Sequence, residues 1–278
     1  MIPLPTDPLQ SIQFWESPRL PNQPGGNVPI QVPHRSNAKI APCSVSPISM
    51  HRSLLLLVTA IVIAIWQLPY GRQILYPMSL LATFAHEMGH GLAALLAGAE
   101  FDALLLNADG SGMAVWRGNP GRVATALIAA GGLLGPTVAG ITLLLLSRAA
   151  RMARAALVLL ACLIAMAVLA WVRNPFGVSF LLAIATLLTL AAWSMSDNAA
   201  RFLLQFVAVT LCLSWFSDLD YMFSSHAMVN GTLHVSDSAV MADALWLPYW
   251  VWGALVAFVS LCVAALGITF ASRARPGT

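Results

Sequence analysis

The sequence predicts an all-α polytopic membrane protein, a bundle of about six to eight transmembrane helices that also carries a small β-hairpin. Three observations favour this class. The chain of 278 residues is 59% hydrophobic, only 9% charged and has a mean hydropathy of +0.78. Soluble domains contain about 25% charged residues. From Ser53 onward, long apolar runs alternate with short polar breaks, and an Asn/Asp/Gly-rich turn separates two short apolar stretches.

Seven apolar runs are candidates for membrane spans. A straight helix needs about 20 apolar residues to cross the hydrocarbon core. Two of the runs are shorter than this, so the number of spans is not fixed by the sequence. The runs are Ser53–Leu68, Leu75–Leu96, Val123–Leu146, Ala155–Val172, Phe176–Trp193, Phe202–Phe216 and Leu247–Ala271.

Charge and cysteine usage exclude several classes of protein. The net charge of +3 comes from basic residues dispersed at the ends of the apolar runs, which is typical of membrane flanks. Since no basic stripe with interleaved aromatic residues is present, nucleic acid is not an expected partner. Four cysteines occur singly, and no CxxC pair suggests a disulfide framework or a cysteine zinc site.

The first 49 residues differ in composition from the rest of the chain. They hold 10 of the 17 prolines and show no apolar periodicity, which predicts a disordered Pro-rich tail. An alternative is that the natural start is Met50, directly before the first apolar run. We therefore expect a transmembrane domain over residues 50–272 and a short tail over 273–278.

The second apolar run contains the sequence His86-Glu87-Met88-Gly89-His90. Residues four apart on a helix lie about 40° apart around the axis, so His86 and His90 share a face and can bind one metal ion. Glu87 is displaced by about 100° and can reach a water molecule near that ion. This is the HExxH signature of zinc hydrolases. The alternative is a histidine pair that is hydrogen-bonded inside the bundle, but polar groups at membrane depth are costly and tend to be functional.

We call the predicted helix over Leu75–Leu96, which carries this motif, the metal helix. After it, Gly98–Leu106 and Met113–Trp116 flank the turn Asn107–Gly112 and predict a β-hairpin. Strands exposed to lipid are not viable, so the hairpin must pack on protein or line a water-filled cavity. Its edge could hold a substrate strand by β-augmentation. The alternative is a simple surface loop.

Two later segments have predicted structural roles. The small residues of Ala130–Gly140 let the third run pack closely against the metal helix, with a kink at Pro136. Ser236-Asp237-Ser238 followed by Ala239–Leu247 predicts a short helix capped by serine before the last span.

A site with two histidines needs a third protein ligand. Asp218 and Asp220 directly follow the run Phe202–Phe216, and we expect one of them to bind the metal while the other orients a ligand. We favour Asp218, with Asp220 as the alternative. These carboxylates could instead cap the helix or face water, and His226 and His234 are lesser candidates.

The sequence resembles the site-2 protease group, the intramembrane zinc metalloproteases of peptidase family M50, and its M50B-like branch most closely. The resemblance lies in the metal helix Phe84–Gly98, the hairpin residues Asp109–Gly112, the small-residue helix Gly131–Gly140 and a late Asp region ending at Trp252-Gly253. The Asn-Pro-x-Pro-x-Leu-Asp-Gly sequence around the last ligand of the wider family is absent.

The resemblance implies one Zn²⁺ ion held by His86, His90 and Asp218 (alternatively Asp220). It also implies that Glu87 activates a zinc-bound water to hydrolyse peptide bonds in or near transmembrane segments. The expected partners are the lipid bilayer and a membrane protein or peptide substrate, and the expected location is a bacterial cytoplasmic membrane. A catalytically silent metal-binding scaffold or assembly factor of the same fold is the main alternative, and a transporter is a weaker one. Orientation and oligomeric state stay open.

Overall fold

The computed structural model describes residues 47–272 of the chain, which form ten helices and two β-hairpins. The predicted Pro-rich tail lies outside this part except for its last three positions, where the first helix begins. In chain order, the elements are α1 (Pro47–Trp66), α2 (Gly71–Ile74), α3 (Tyr76–Leu96), β1 (Glu100–Leu106), β2 (Gly112–Arg117), α4 (Arg122–Leu146), α5 (Ala150–Ala170), α6 (Pro175–Ser194), α7 (Asp197–Ser217), α8 (Leu219–Met222), β3 (His226–Val229), β4 (Thr232–Val235), α9 (Asp237–Leu245) and α10 (Tyr249–Ser272).

Five helices of the described residues are long and apolar enough to cross a membrane, namely α4, α5, α6, α7 and α10. All seven predicted spans fall on helices. The apolar part of α1, Ser53–Trp66, is shorter than a full span, and α3 carries the polar motif. Large apolar side chains such as Leu169 and Trp193 are exposed on the outer surface of the bundle, as expected for groups that face lipid. The predicted class, an all-α polytopic membrane protein, is confirmed.

Helices α3 and α4 approach each other through glycines. A Cβ atom on Gly89 would lie 2.1 Å from the carbonyl oxygen of Gly131, and one on Gly135 would lie 2.6 Å from the carbonyl oxygen of Ala85. Such distances leave no room for any side chain at these positions. Backbones packed this closely gain van der Waals contact, which is a main source of helix association in lipid. The predicted packing of the small-residue run on the metal helix is confirmed.

The first hairpin, β1 with β2, forms where the sequence predicts it. Its turn places Leu106 opposite Gly112, and Phe101, Leu104 and Leu106 are buried against the helices. Phe101 packs on α3, where a Cβ on Gly91 would lie 2.2 Å from its ring. The hairpin therefore packs on protein rather than on lipid, as expected.

The outer edge of β1 is closed by the segment between α5 and α6. The Leu104 amide donates to the Trp171 carbonyl (2.8 Å), and the Arg173 amide donates to the Leu104 carbonyl (3.2 Å). Further along, the side-chain amide of Asn174 bonds to both backbone groups of Leu106, at 3.1 Å and 2.5 Å. The open edge of this two-stranded sheet is therefore the outer edge of β2.

A second hairpin, β3 with β4, was not predicted. It turns at Asn230 and Gly231, which have φ of 46° and 78°, as a two-residue hairpin loop with both central residues at positive φ requires. The hairpin leads directly into α9. At the start of this helix, the backbone amide of Ala239 donates to the Ser236 hydroxyl. The predicted short helix capped by serine is thus present, and the hairpin determines where it begins.

Candidate metal centre and adjoining cavity

Two imidazoles on α3 meet one helical turn apart. The Nε2 atom of His86 lies 3.1 Å from the Nε2 atom of His90, and both rings are largely shielded from solvent. This follows from their i, i+4 spacing, which stacks side chains on one face of a helix. The two nitrogens point to a common centre between α3 and the segment that begins α9.

The acidic group at this centre is Asp237. Its Oδ2 atom lies 3.0 Å from His86 Nε2 and 3.3 Å from His90 Nε2. Within residues 47–272, these three side chains are the group whose ligand atoms converge closely enough to hold a metal ion. The expectation that Asp218 or Asp220 occupies this position differs from the structure. Asp218 is the C-terminal cap of α7, and Asp220 lies exposed on the one-turn helix α8.

His90 is oriented by contacts on its far side. Its Nδ1 atom donates to the carbonyl of Ile128 on α4 (2.8 Å). With the proton on Nδ1, the lone pair of Nε2 points to the centre, which is the tautomer that metal ligation requires. The ring lies over Gly132, where a Cβ would come within 2.2 Å of it. The glycine on α4 therefore makes the space that the ring occupies.

Asp237 is fixed by the segment that follows α7. Its backbone amide donates to the hydroxyl of Tyr221 (3.2 Å). On either side of it, the hydroxyls of Ser236 and Ser238 donate to the carbonyls of Ser224 (2.5 Å) and Met222 (2.7 Å). These bonds join the start of α9 to α8, so the carboxylate is held rigidly against the histidines.

The charge state of this segment suits metal binding. Burial alone would raise the pKa of Asp237, but the adjacent His90 and His86 hold it below its usual range, so the carboxyl is ionised. Burial raises the pKa of Tyr221 above its usual range. The tyrosine therefore keeps its proton and can act as a hydrogen-bond donor beside Asp237.

The donor atoms fit a zinc ion. Zinc binds histidine nitrogen and carboxylate oxygen at about 2.0–2.1 Å in tetrahedral geometry, which places ligand atoms about 3.3–3.4 Å apart. The three observed separations, 3.0, 3.1 and 3.3 Å, are close to the edges of such a tetrahedron. Two histidines with one carboxylate form a ligand set of catalytic zinc sites, in which the fourth position stays open.

Glu87 lies beside this centre and is buried. Its side chain packs under the first residue of β2, since a Cβ on Gly112 would lie 2.6 Å from Glu87 Cγ and 2.7 Å from its Oε1. The backbone amide of Ala114 faces its carboxylate. The first hairpin thus fixes the position of the acid relative to the histidines.

A cavity of about 340 Å³ opens next to His86 and Glu87. It runs between α3 and the end of α7, and residues of both hairpins lie over it. The hairpin turns contact each other, since the Asn230 amide donates to the Ser111 hydroxyl (3.2 Å). The lining residues are Trp66, Leu75, Met78, Ser79, Ala82, Thr83, His86, Glu87, Gly110, Ser111, Gly112, Thr210, Ser214, Ser217, Asp218, Tyr221, Ala227, Met228 and Val229.

These observations define an integral membrane protein with a three-residue candidate metal centre at the wall of an open cavity. The Peptidase M50B-like family model matches residues 54–267, which include α3, both hairpins and Asp237. The chain belongs to this family, and the resemblance to site-2 proteases is confirmed. Neither the curated proteins nor the solved structures contain a match to the chain.

Proposed function

We propose that this protein is an intramembrane zinc endopeptidase that hydrolyses peptide bonds in or near transmembrane segments. The observation that carries the proposal is the convergence of His86, His90 and Asp237 within 3.3 Å, with Glu87 next to them at the wall of an open cavity. Such a constellation has the parts that peptide hydrolysis needs: a metal site, a base and room for a substrate.

A zinc ion held by these three side chains would act as a Lewis acid that polarises a peptide carbonyl and makes water more acidic. Glu87 is the base in this proposal. It accepts a proton from the attacking water and delivers that proton to the leaving nitrogen. Tyr221 holds the Asp237 backbone and offers its hydroxyl proton to the same region.

The open edge of β2 is the proposed site for the substrate backbone. Leu104 directs its backbone groups away from β2, so the residue opposite it, Ala114, directs its own groups outward as well. That outward side faces Glu87. An extended peptide added to this edge would therefore lie beside the catalytic base. Because a membrane helix has to unwind before it can bind in this way, bonds near helix ends are the expected targets.

The test compares the wild type with Glu87→Gln in detergent micelles, using fluorogenic peptides built on a transmembrane sequence. We expect zinc-dependent cleavage by the wild type and a loss of at least about 1,000-fold in Glu87→Gln, while zinc content stays unchanged. Glu100→Gln is the matched control, because Glu100 lies exposed on β1 away from the cavity. If the wild type binds zinc but no cleavage depends on Glu87, the proposal is wrong and the scaffold alternative holds.

A further inference from the structure

The cavity beside Glu87 contains an acidic group that neither metal binding nor proton transfer uses. Asp218 caps the C-terminus of α7, and its side chain lines the cavity together with Ser214 and Ser217. The metal centre takes its carboxylate from Asp237, and the base is Glu87. Asp218 is thus a second carboxyl in the same cavity, and it has no part in the proposed chemistry.

The carboxyl of Asp218 has no hydrogen-bond donor among the described residues, and its one charged neighbour there is His86. Asp218 is half-buried, and the loss of water around its carboxyl raises its pKa more than the nearby His86 lowers it. A half-buried carboxylate without a hydrogen-bond donor is unfavourable. A cationic group from a ligand would remove that cost.

The surrounding charge also favours a cation. The residues that line the cavity include two carboxyls, Glu87 and Asp218, and contain neither lysine nor arginine. In addition, the last carbonyls of α7 direct the negative end of the helix dipole to the position of Asp218. Both effects make the cavity favourable for a cation.

The shape of the wall indicates which kind of cation fits. Trp66, Met78 and Met228 supply apolar surface to the cavity, and serine and threonine residues also line it. A long side chain with an apolar stem and a charged tip meets both requirements, because its methylenes pack on apolar surface while its head group binds the acid. A compact inorganic cation would leave the apolar walls without contact.

We propose that Asp218 is a specificity-determining residue that selects substrates carrying a lysine or arginine side chain near the scissile bond. The inference rests on the proposed protease function, since it assigns the substrate class of that same cavity. Arginine fits Asp218 better than lysine, because its planar guanidinium can form two parallel hydrogen bonds with a carboxylate.

Binding is tested separately from cleavage, in the zinc-loaded Glu87→Gln protein. Fluorescein-labelled apolar peptides carry a single arginine that is moved one position at a time. The matched peptides carry citrulline, which has nearly the same shape but no charge. We expect the arginine peptide to bind about tenfold more tightly than its citrulline partner at one position, as measured by fluorescence anisotropy.

The variants assign this preference to one side chain. Asp218→Asn should remove the difference between arginine and citrulline, and Asp220→Asn should keep it, because Asp220 is exposed and does not line the cavity. Zinc content and thermal unfolding of both variants establish that they are folded. In the Glu87→Gln protein that keeps Asp218, the comparison of arginine with citrulline peptides already tests the inference.

Equal binding of arginine and citrulline peptides at every position would overturn the inference. Loss of the preference in Asp220→Asn to the same extent as in Asp218→Asn would also overturn it. A charge preference that depends on Asp218, in a wild type that cleaves none of the peptides, would support this binding site while contradicting the proposed protease function. The two proposals therefore fail by different results.

Discussion

Replacing Gly132 by alanine tests whether the packing of α4 on α3 shapes the metal centre. A Cβ at this position would lie 2.2 Å from His90 Cε1 and Nε2, whereas ordinary contact begins near 3.4 Å. The ring would have to move by about 1.2 Å, the difference between these distances. Metal–ligand bonds tolerate about 0.2 Å. The displacement would also break the bond from His90 Nδ1 to the Ile128 carbonyl.

We therefore expect Gly132→Ala to lower zinc affinity by about 10- to 100-fold, the range found when a group that orients a metal ligand is lost. The assay is competition with a zinc-binding dye in detergent. Gly140→Ala is the control, because its Cβ would lie 2.6 Å from the Ala208 carbonyl oxygen of α7, a similar clash on the same helix that does not involve the histidines. Normal zinc affinity in Gly132→Ala, or an equal loss in Gly140→Ala, would show that contact between α4 and His90 does not shape the metal centre.

Three further predictions concern the groups around the centre. Gly112→Ala places a Cβ 2.6 Å from Glu87 Cγ, so the cleavage rate should fall about 100-fold while zinc content stays unchanged. Loss of zinc before loss of activity would contradict this role of Gly112. Tyr221→Phe removes the hydroxyl that accepts a hydrogen bond from the Asp237 amide, so zinc affinity should fall about tenfold in the same dye competition. An unchanged zinc affinity would contradict this role of Tyr221. Asn174→Ala leaves both backbone groups at the end of β1 without partners, so unfolding in detergent should become easier by about 1–3 kcal/mol, and an unchanged stability would show that this closure contributes nothing.

Local patterns in the sequence were sufficient to predict much of the fold. The histidine spacing determines that His86 and His90 share a face, because helix geometry is the same in any surroundings. Apolar run length predicts the helices, since the bilayer sets the length of a span. The small residues of Ala130–Gly140 predict the close packing of α4 on α3, since glycine lets two backbones meet.

The third residue of the metal centre, Asp237, could not be predicted from local sequence patterns, because tertiary structure brings it to the histidines. Asp218 directly follows a predicted span, which made it the expected ligand, but as the cap of α7 it lies on the cavity wall. Asp237 is 151 residues from His86 in sequence and reaches it only because the second hairpin returns the chain to α8.

One signal for that hairpin was present in the sequence. Asn230-Gly231 between Val229 and Thr232 is a strong pattern for a two-residue hairpin turn. Recognising it would have placed the start of the next helix, with Ser236 as its cap, immediately after a β-strand. A rigid strand-to-helix junction that carries an aspartate is a better position for a metal ligand than a flexible loop, because rigid elements hold ligand geometry more accurately.

X-ray absorption spectroscopy of the zinc-loaded protein, together with the zinc affinities of Asp237→Ala and Asp218→Ala, shows whether His86, His90 and Asp237 bind the metal. We expect a first coordination sphere of nitrogen and oxygen with two imidazoles. Asp237→Ala should lose at least about 100-fold in zinc affinity, and Asp218→Ala should bind zinc like the wild type. Loss of zinc in Asp218→Ala together with zinc binding in Asp237→Ala would contradict this assignment of ligands, and so would a spectrum without imidazole ligands.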